Sequence, residues 1–526
     1  MSLLAETPST LVAMCEAAAV SWPQRDALIF DEVDIHITFS ELDNLSNRVA
    51  NALLELGVLR GDRVALITSN SPLFPIAWLG ILKAGASMVP INPSYREQDA
   101  KHLVSHSEAS IIICDKERAP LARQLKMDVS SVKALIVDSE SEVEAGELRF
   151  SDRIENSSDR SPGVEIFPET LANVQFTSGT SGMPKGCMLS HRYWCELGTM
   201  IAHDILELTH EDVLLTAQPF SYIDPQWNLA AVLASGSSLV VLERFRSTTF
   251  WCRVAARKVT FFYCIGAMPL MLLAQPQTPV ERAHRLRLVM CSGIPASRHA
   301  ELEQRYGVPW REVFGTTETG ADVMVYESMA KSLRGTGSIG KALPHRELRV
   351  AEHNSVPVVR GQVGELLIRG TGMMDGYFRN EVATSQAFAD GWYHTGDLAV
   401  CDSDGTIRIV GRKKDMIRRS GENVAASEVE AVIEQHPKVL ISAVTPIPDD
   451  LRGEEIKAYV VLKNSNNKSS FEIQGLIDFA VQRLARFKVP RYWELRDDLP
   501  RTPSERVAKH LIVTSEPGAV VFDRIA

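Results

Sequence analysis

The sequence lacks the marks of a secreted, membrane-spanning or nucleic-acid-binding protein. Its eight cysteines form no CxxC pair and no metal-like spacing, which excludes a disulfide framework and favours buried thiols in a reducing compartment. No apolar run approaches the length of a membrane span, and residues 1–20 lack the basic start of a secretory signal. The net charge of −10 argues against a nucleic-acid partner. We therefore expect a cytoplasmic enzyme.

The chain of 526 residues is too long for one ordinary core and predicts at least two domains. Strand-like and helix-like patterns alternate from the start, as in the strand 63–67, the helix 75–83 and the strand 87–90. Such alternation predicts an α/β fold with mostly parallel sheets and flanking helices. Further strands are expected at 110–114, 171–176, 238–242, 260–264, 288–291 and 406–410.

Two stretches interrupt this alternation. The polar stretch 139–163 has no clear apolar periodicity and is interpreted as an exposed loop. The hydrophilic stretch that begins at Gly411 predicts a domain boundary, with a large N-terminal domain at 1–410 and a small α+β domain at 411–526.

The stretch FTSGTSGMPKG at residues 176–186 carries the strongest chemical signal. Its glycines let backbone N–H groups curl around an anion, its hydroxyls add donors, and Lys185 supplies a mobile positive charge. It is not a GxxxxGK[ST] phosphate loop, because Gly182 and Lys185 are too close and no Ser or Thr follows the lysine. The pattern indicates a nucleotide triphosphate, although a flexible surface loop has the same composition.

Three further stretches have the residue types that a nucleotide and Mg²⁺ require. In FGTTETG at 314–320, the carboxylate of Glu318 stands among hydroxyls and suits Mg²⁺, or else the stretch caps a helix. In YHTGDLA, Asp397 follows a glycine turn and suits ribose hydroxyls, or else it merely forms the turn. In GRKKDMIRRSGENVAASEVE at 411–430, five basic residues meet phosphates or form a solvated face.

The order of these stretches resembles one family. TSGTSGMPKG, FGTTETG, GELLIRGTGMMDGYFRN, YHTGDLA, GRKKDMIRRSGENVAASEVE and FKVPRYWELRDDLPRTPSERVAKHL follow one another as in the adenylate-forming superfamily. That superfamily includes acyl-CoA synthetases, peptide-synthetase adenylation domains and firefly-type luciferases. DPQWN and FKVPRYWELRDDLPR make the chain most similar to crotonobetaine/carnitine–CoA ligase-like proteins of the acyl-CoA synthetase branch.

The resemblance implies an ATP- and Mg²⁺-dependent acid–thiol ligase. Such an enzyme joins a small-molecule carboxylic acid to coenzyme A through an acyl-adenylate and releases AMP and pyrophosphate. A mobile C-terminal domain would swing between the two half-reactions, and family members are often homodimers. The alternatives are an enzyme that loads a carrier protein's phosphopantetheine arm, and a binder of nucleotide or acyl-adenylate without catalysis.

The resemblance also implies a role for individual residues. The catalytic residues would be Lys185, Thr317, Glu318 and Arg506, with Glu318 holding Mg²⁺. The phosphate loop would consist of Thr177, Ser178, Gly179, Thr180, Ser181, Gly182 and Lys185. Adenine would lie between Ser292, Gly293, Ile294, Phe314, Gly315 and Thr316, and ribose would meet Asp397 and Arg412. Lys414 would be the hinge, and Ser420 and Gly421 would border the pantetheine tunnel.

Two positions depart from the family pattern. Arg506 stands where the family has a catalytic lysine, and the exchange is not conservative, because a guanidinium is larger and planar. Arg506 then does the lysine's work, or Lys509 reaches in instead, or adenylation is crippled. Tyr222 stands near the position where the family often has a histidine.

The acyl pocket is the region that the sequence describes least. By family position it would receive contributions from residues 222–227, which include Tyr222, Gln226 and Trp227, and from Gly266, Cys291 and residues 320–323. Tyr222 and Trp227 would offer an aromatic face to a quaternary ammonium, or they are ordinary core aromatics.

The hinge assignment makes a testable prediction. Changing Lys414→Ala should bias one domain pose and therefore slow one half-reaction about tenfold more than the other, since tenfold corresponds to about 1.4 kcal/mol. Single-turnover assays of adenylate formation and of thioester formation measure the two rates separately. Equal losses in both half-reactions would contradict the hinge assignment.

Overall fold

A computed structural model describes residues 8–177, 184–266, 268–352, 355–419, 422–449, 453–463, 473–501, 507–514 and 520–524. They form the α/β fold that the alternation of strands and helices predicted, with three sheets. Among these residues, no helix combines the length and the apolar character that crossing a membrane requires.

In the N-terminal third, the described residues form nine strands and six α-helices. In chain order they are α1 Leu11–Ser21, β1 Asp26–Phe30, β2 Ile35–Thr38, α2 Phe39–Glu55, β3 Arg63–Ile67, α3 Leu73–Lys83, β4 Ser87–Ile91, α4 Glu97–Ser107, β5 Ile111–Asp115, α5 Ala119–Asp128, β6 Ala134–Asp138, β7 Leu148–Arg149, α6 Phe150–Asn156, β8 Leu171–Thr177 and β9 Lys185–Ser190.

The middle of the chain contributes the strands and helices of a larger sheet. They are α7 His191–Met200, β10 Val213–Thr216, α8 Ile223–Ser235, β11 Ser238–Val241, α9 Phe250–Ala256, β12 Phe261–Ile265, α10 Met268–Leu273, β13 Leu288–Ser292, α11 His299–Tyr306, β14 Trp310–Thr316, β15 Gly320–Met324, α12 Glu327–Leu333, β16 Ser338–Ala342, β17 Arg346–Ala351, β18 Val363–Gly370, α13 Glu381–Ala387, β19 Phe388–Ala389, β20 Trp392–Cys401 and β21 Ile407–Arg412.

The C-terminal part adds a third group of elements. They are β22 Met416–Arg419, β23 Glu422–Ala425, α14 Ala426–Ile433, β24 Val439–Asp449, β25 Gly453–Leu462, α15 Ile473–Val481, β26 Tyr492–Arg496, α16 Lys509–Thr514 and β27 Val520–Asp523.

Two sheets form the large N-terminal part. The seven-stranded sheet has the order β7-β6-β5-β3-β4-β8-β9 and is parallel except at its β8–β9 pair. The fourteen-stranded sheet contains a parallel segment, β1-β11-β10-β12-β13-β14, which continues through antiparallel strands to β17. One hydrophobic core contains residues of both sheets and of α1, α2, α3, α7 and α8, so these helices lie between the sheets. Separate cores cover the outer face of each sheet.

Helices α2 and α3 show why this layer packs tightly. Thr38 and Glu41 form a capping box at the start of α2, in which each side chain accepts the other residue's backbone N–H. Gly80 of α3 lies against α2, where a Cβ at that position would meet the Val49 side chain. Every residue of α3 is buried, as expected for a helix enclosed between two sheets.

The predicted strands and helices agree with the structure in position, with ends shifted by one or two residues. The predicted loop at 139–163 is wrong in part, since this stretch contains β7 and α6 and buries Phe150. A two-residue edge strand and a short helix with one buried residue are too small to produce an apolar period.

The C-terminal elements form a six-stranded sheet with its own hydrophobic core. This sheet begins with β22, four residues after the large sheet's β21 ends at Arg412. The Ser427 hydroxyl of α14 donates to the Val410 carbonyl at 2.6 Å and thereby joins the two parts. The boundary at 410/411 remains a prediction.

Candidate active site

Three of the predicted motifs lie at the carboxyl ends of strands. Thr177 ends β8, Ser292 ends β13 and Thr316 ends β14. Ligands of α/β sheets bind outside the carboxyl ends of the parallel strands, because loops and backbone donors converge there. The fold therefore brings the phosphate-loop residue and the two adenine-lining stretches to the ends of β8, β13 and β14, where such a ligand would bind.

The turn between β14 and β15 is compact because of its two glycines. A Cβ at Gly315 would overlap the Gly320 carbonyl oxygen. Gly320 itself has a φ of +81°, which residues other than glycine rarely adopt. The Thr316 and Thr319 hydroxyls lie 2.9 Å apart across the turn. The turn therefore has little freedom to move Thr317 and Glu318.

A buried ion pair also holds this turn in place. Arg346 donates from Nε to Asp322 at 2.8 Å and from its terminal nitrogen to the Thr319 carbonyl at 2.5 Å. Both charged side chains are at most 1% exposed. Burial raises the pKa of Asp322 to about 6, and the Arg346 charge and the hydrogen bond from Thr319 act in the opposite direction.

Glu318 contacts both Tyr377 and Thr177, the first residue of the predicted phosphate loop. Its Oε1 accepts a hydrogen bond from the Tyr377 hydroxyl at 3.0 Å and one from the Thr177 hydroxyl at 3.5 Å. Lys185, the first residue of β9, places its Nζ 4.7 Å from the centre of the Tyr377 ring. The structure thus brings together, around Tyr377, the predicted metal ligand Glu318 and the predicted phosphate-loop residues Thr177 and Lys185.

The Thr317 backbone is hydrogen-bonded to Tyr193, which also contacts Trp227. The Tyr193 hydroxyl donates to the Thr317 carbonyl at 3.1 Å and accepts from the Trp227 indole N–H at 3.2 Å. Burial keeps the pKa of Tyr193 well above its ordinary value, so its hydroxyl remains a donor.

The two predicted walls of the adenine site are joined by Glu312 of β14. Its carboxylate accepts the Gly293 N–H at 3.0 Å and the Ile294 N–H at a shorter distance. Burial raises the pKa of Glu312 to about 8, and these two N–H groups act in the opposite direction. In addition, the Ser292 hydroxyl donates to the Val313 carbonyl at 2.6 Å. Ser292, Gly293 and Ile294 are therefore fixed relative to Phe314, Gly315 and Thr316.

The predicted ribose residues lie opposite each other on β20 and β21. Asp397 pairs with Arg412 in the strand register, and the Arg412 Nε is 3.1 Å from its carboxylate. Nearby, Glu365 of β18 accepts from Lys413 at 3.0 Å and from the Gly396 N–H at 3.1 Å. Lys414 lies in the 3₁₀ turn Lys413–Asp415 that follows β21.

A partly open pocket, called the cavity below, adjoins the turn of Glu318. Most of its walls are apolar or aromatic, and Asp224 and Asn228 are polar exceptions. The lining residues are Ile201, Ile205, Leu206, Leu214, Leu215, Asp224, Trp227, Asn228, Phe261, Phe262, Tyr263, Met290, Val313, Phe314, Gly315 and Ala321. Ile201 and Ile205 belong to a π-helical turn, an irregularity that often accompanies functional sites.

The structure places two expected acyl-pocket residues away from this cavity. Cys291 is fully buried in the core on the outer face of the sheet, whereas its strand neighbour Met290 lines the cavity. Successive strand side chains point to opposite faces, so an error of one residue in a family comparison selects the wrong side.

Gln226 is also fully buried and belongs to a chain of amides within the core. Its oxygen accepts from Asn173 at 2.8 Å, and its nitrogen donates to Gln175 at 3.2 Å and to the Phe220 carbonyl at 2.9 Å. This chain links α8 to β8, which leads into the phosphate loop. Trp227, the next residue, does line the cavity.

The other expected acyl residues lie near the cavity without lining it. The Tyr222 hydroxyl accepts from Asn92 at 3.0 Å, and Gly266 follows β12 with a φ of +57°. Neither is among the described residues that line the cavity, whereas Ala321, from the expected range 320–323, is.

The alternative role of Lys509 meets a structural obstacle. Its Nζ lies 2.7 Å from Glu430 and 4.0 Å from Asp415, so the lysine is held within the C-terminal elements in this pose. The predicted residues Ser178, Gly179, Thr180, Ser181, Gly182, Ser420, Gly421 and Arg506 lie outside the described residues.

Several residues of this site were missed by sequence reasoning, among them Glu312, Met290 and Tyr377. Glu312 lies two residues before Phe314, and Met290 lies two residues before Ser292, so the strand period of two was the signal that would have identified them. Tyr377 lies within the motif GELLIRGTGMMDGYFRN, but nothing in its local pattern relates it to Lys185 or Glu318.

Comparison with known families identifies the class of protein. Residues 15–378 match the family of AMP-binding enzymes, and residues 428–506 match the C-terminal domain of AMP-binding enzymes. The chain belongs to this family, which confirms the resemblance inferred from the motifs.

Individual relatives cover nearly the whole chain. A crotonobetaine/carnitine–CoA ligase from Salmonella typhi is 32% identical over 508 residues, covering 94% of this chain and 97% of the relative. The structure of the anthranilate CoA ligase AuaEII in complex with anthranoyl-AMP has a TM-score of 0.88 at 25% identity, covering 96% of each chain. ATP-bound MatB from Rhodopseudomonas palustris has a TM-score of 0.86 at 26% identity, covering 96% of this chain and 98% of that one.

The contacts of Glu312 make a prediction about adenine recognition. In Glu312→Gln, only one oxygen remains for two N–H donors, and the new amide group opposes the second donor. Leaving one buried N–H without its acceptor, at a cost of about 1.5 kcal/mol, should raise the KM for ATP about tenfold and weaken discrimination against GTP. Steady-state kinetics with both nucleotides measure these effects.

A matched control is Glu303→Gln. Glu303 likewise accepts a backbone N–H, from Trp310 at 3.1 Å, but it lies on α11. This variant should leave the KM for ATP unchanged. If both variants shift the KM equally, Glu312 has no specific role in positioning the adenine walls.

Proposed function

We propose that this protein is an AMP-forming acyl-CoA ligase for a carboxylic acid whose acyl group is largely apolar. The observation that carries the proposal is the mostly apolar cavity, whose wall includes Phe314 and Gly315 beside the turn of Glu318. An acid in this cavity would extend its carboxylate towards the residues proposed to hold the α-phosphate.

In the first half-reaction, a carboxylate oxygen attacks the α-phosphorus of ATP. The new P–O bond forms as the bond to the pyrophosphate breaks, giving acyl-AMP and pyrophosphate. Lys185 with the loop that precedes it would hold the β- and γ-phosphates, and Thr317 would contact the α-phosphate. Such a reaction depends mainly on positioning and on charge neutralisation.

Glu318 fits the predicted Mg²⁺ site by its chemistry. Carboxylate oxygen is a ligand that Mg²⁺ prefers, and a Mg²⁺ bound there neutralises charge on the phosphates. Within the described part of the chain, no cluster of three or more His, Cys, Asp or Glu residues is placed to hold a metal ion. Glu318 would contribute a carboxylate ligand to the ion.

In the second half-reaction, the thiolate of CoA attacks the acyl carbonyl and AMP leaves. Asp397 and Arg412 would keep hold of the ribose of AMP, while Ser420 and Gly421 would border the pantetheine arm. The acyl-adenylate is an anhydride that water destroys, so a domain movement about Lys414 that admits the thiol and excludes water suits this chemistry.

A second candidate substrate is an acid that carries a cationic group. Asp224 lines the cavity together with Trp227, Phe261 and Tyr263, and a carboxylate among aromatic rings attracts a quaternary ammonium. The crotonobetaine/carnitine–CoA ligases among the relatives support this candidate.

The test of the function is pyrophosphate release from ATP and Mg²⁺ over a panel of fatty, aromatic and betaine-type acids. Release should depend on one class of acid and should accelerate when CoA is present. A carrier protein that replaces CoA as the better acceptor would instead indicate the carrier-loading alternative. ATP binding without release with any acid would support the non-catalytic binder.

The role of Arg506 is tested in the same assay. If the guanidinium performs the lysine's task, Arg506→Lys should retain pyrophosphate release within about tenfold of the native rate, while Arg506→Ala should lose at least a hundredfold, about 2.7 kcal/mol. A silent native protein with an active Arg506→Lys variant would mean that adenylation has been disabled in this chain.

Asp224→Asn distinguishes the two substrate classes. If the acid is cationic, removing the charge should reduce kcat/KM about tenfold or more, since the ammonium then lacks its counter-ion. If the acid is apolar, the variant should keep or improve kcat/KM, because a charge next to an apolar chain costs desolvation energy. Parallel kinetics with a betaine-type and a fatty acid decide between them.

A further inference from the structure

Tyr377 stands between the two oppositely charged residues proposed to act on the nucleotide. Its hydroxyl donates to Glu318 at 3.0 Å, and the face of its ring meets the Lys185 ammonium at 4.7 Å. We propose that Tyr377 is a positioning residue that separates Lys185 from Glu318, so that the lysine remains available to phosphate and the carboxylate to Mg²⁺. This proposal rests on the proposed function of the site.

The backbone around Tyr377 gives the ring one fixed location. Its segment runs beside β9, where Met188 N–H donates to the Gly376 carbonyl at 2.9 Å and Phe378 N–H donates to the Gly186 carbonyl at 2.7 Å. The Tyr377 N–H donates to the Thr384 hydroxyl at 2.9 Å. Tyr377 is only 6% exposed, so the ring cannot turn away from the site without losing its packing.

The ring and the hydroxyl of the tyrosine contact residues of opposite charge. The ring offers the lysine the negative face of its π-system, a weak attraction that phosphate oxygens easily replace. The hydroxyl offers the carboxylate a hydrogen bond that orients it. Burial and the nearby Glu318 raise the pKa of Tyr377 above its ordinary value, so the hydroxyl keeps its proton and remains a donor.

The physical reason for a spacer is the attraction between opposite charges in a partly enclosed site. A direct Lys185–Glu318 ion pair would neutralise both groups, and Mg²⁺ and phosphate would have to break it before binding. In the described part of the chain, the two side chains instead contact different parts of Tyr377 and form no ion pair with each other.

The first test compares Tyr377→Phe with Tyr377→Leu in the full-length protein. The phenylalanine variant keeps the spacer and loses the orienting hydrogen bond, so the Mg²⁺ concentration for half-maximal ATP–pyrophosphate exchange should rise about threefold to tenfold. The leucine variant loses the ring, so Mg²⁺-free ATP, which measures the availability of Lys185, should bind at least tenfold more weakly than in the native protein. Titration with a fluorescent ATP analogue without Mg²⁺ measures this binding and needs no knowledge of the acid.

The double variant Tyr377→Leu with Glu318→Gln supplies the decisive comparison. If the missing ring allows Lys185 to pair with Glu318, removing the carboxylate's charge should release the lysine and strengthen Mg²⁺-free ATP binding by at least fivefold relative to Tyr377→Leu alone, beyond the gain that Glu318→Gln gives in the native background. An equal gain in both backgrounds would overturn the spacer role. Unchanged Mg²⁺ dependence in Tyr377→Phe would overturn the orienting role.

Tyr326→Phe is the matched control. It also removes a half-buried hydroxyl that donates one hydrogen bond, here to the Ala342 carbonyl at 2.9 Å, and Tyr326 makes none of the site contacts described above. It should change neither ATP binding nor Mg²⁺ dependence. A native protein that binds no ATP would refute the proposed function itself, whereas normal native binding with unaffected Tyr377 variants would refute only the role of Tyr377.

Discussion

The site depends on one carboxylate, that of Glu318, being held at the place where two sheets meet. Its turn belongs to the large sheet, whereas the hydroxyl of Thr177 that reaches it belongs to the seven-stranded sheet. Tyr377 joins Glu318 to Lys185 of the same seven-stranded sheet. A shift of one sheet against the other would separate the residues proposed to hold the metal and the phosphates.

Buried polar groups hold the separate parts of the candidate site in place. The amide chain of Gln226, Asn173 and Gln175 crosses from α8 to β8 within the core. Arg346 and Asp322 fix the turn of Glu318, and Glu312 fixes the adenine walls. Buried polar groups are costly unless they are satisfied, so each of these arrangements tolerates little displacement. These contacts hold the residues of the candidate site in one arrangement within the large N-terminal part.

The cavity proposed for the acyl group was harder to predict from the sequence than the proposed nucleotide site. Its walls come from α8, β10, β12, β13, β14, β15 and the π-helical turn, and they are mostly apolar. Asp224 is the one acidic side chain among the lining residues that the structure describes. Apolar residues tolerate substitution as long as volume is kept, so a family resemblance constrains the cavity less than the phosphate and adenine sites.

The sequence alone determined the fold class and the family, and it supplied the motif residues proposed for the nucleotide site, because strand periods and Gly, Ser, Thr and Lys patterns are local and chemically specific. It also located Trp227 and Ala321 in the acyl cavity. Only the tertiary structure decided that Met290 rather than Cys291 faces the cavity, and that Gln226 belongs to the core. Only the tertiary structure placed Tyr377 against Lys185 and Glu318, which lie far from it in the chain. A local sequence pattern does not show which face of a strand a residue occupies, nor which residue of another sheet it contacts. Both depend on how distant segments pack.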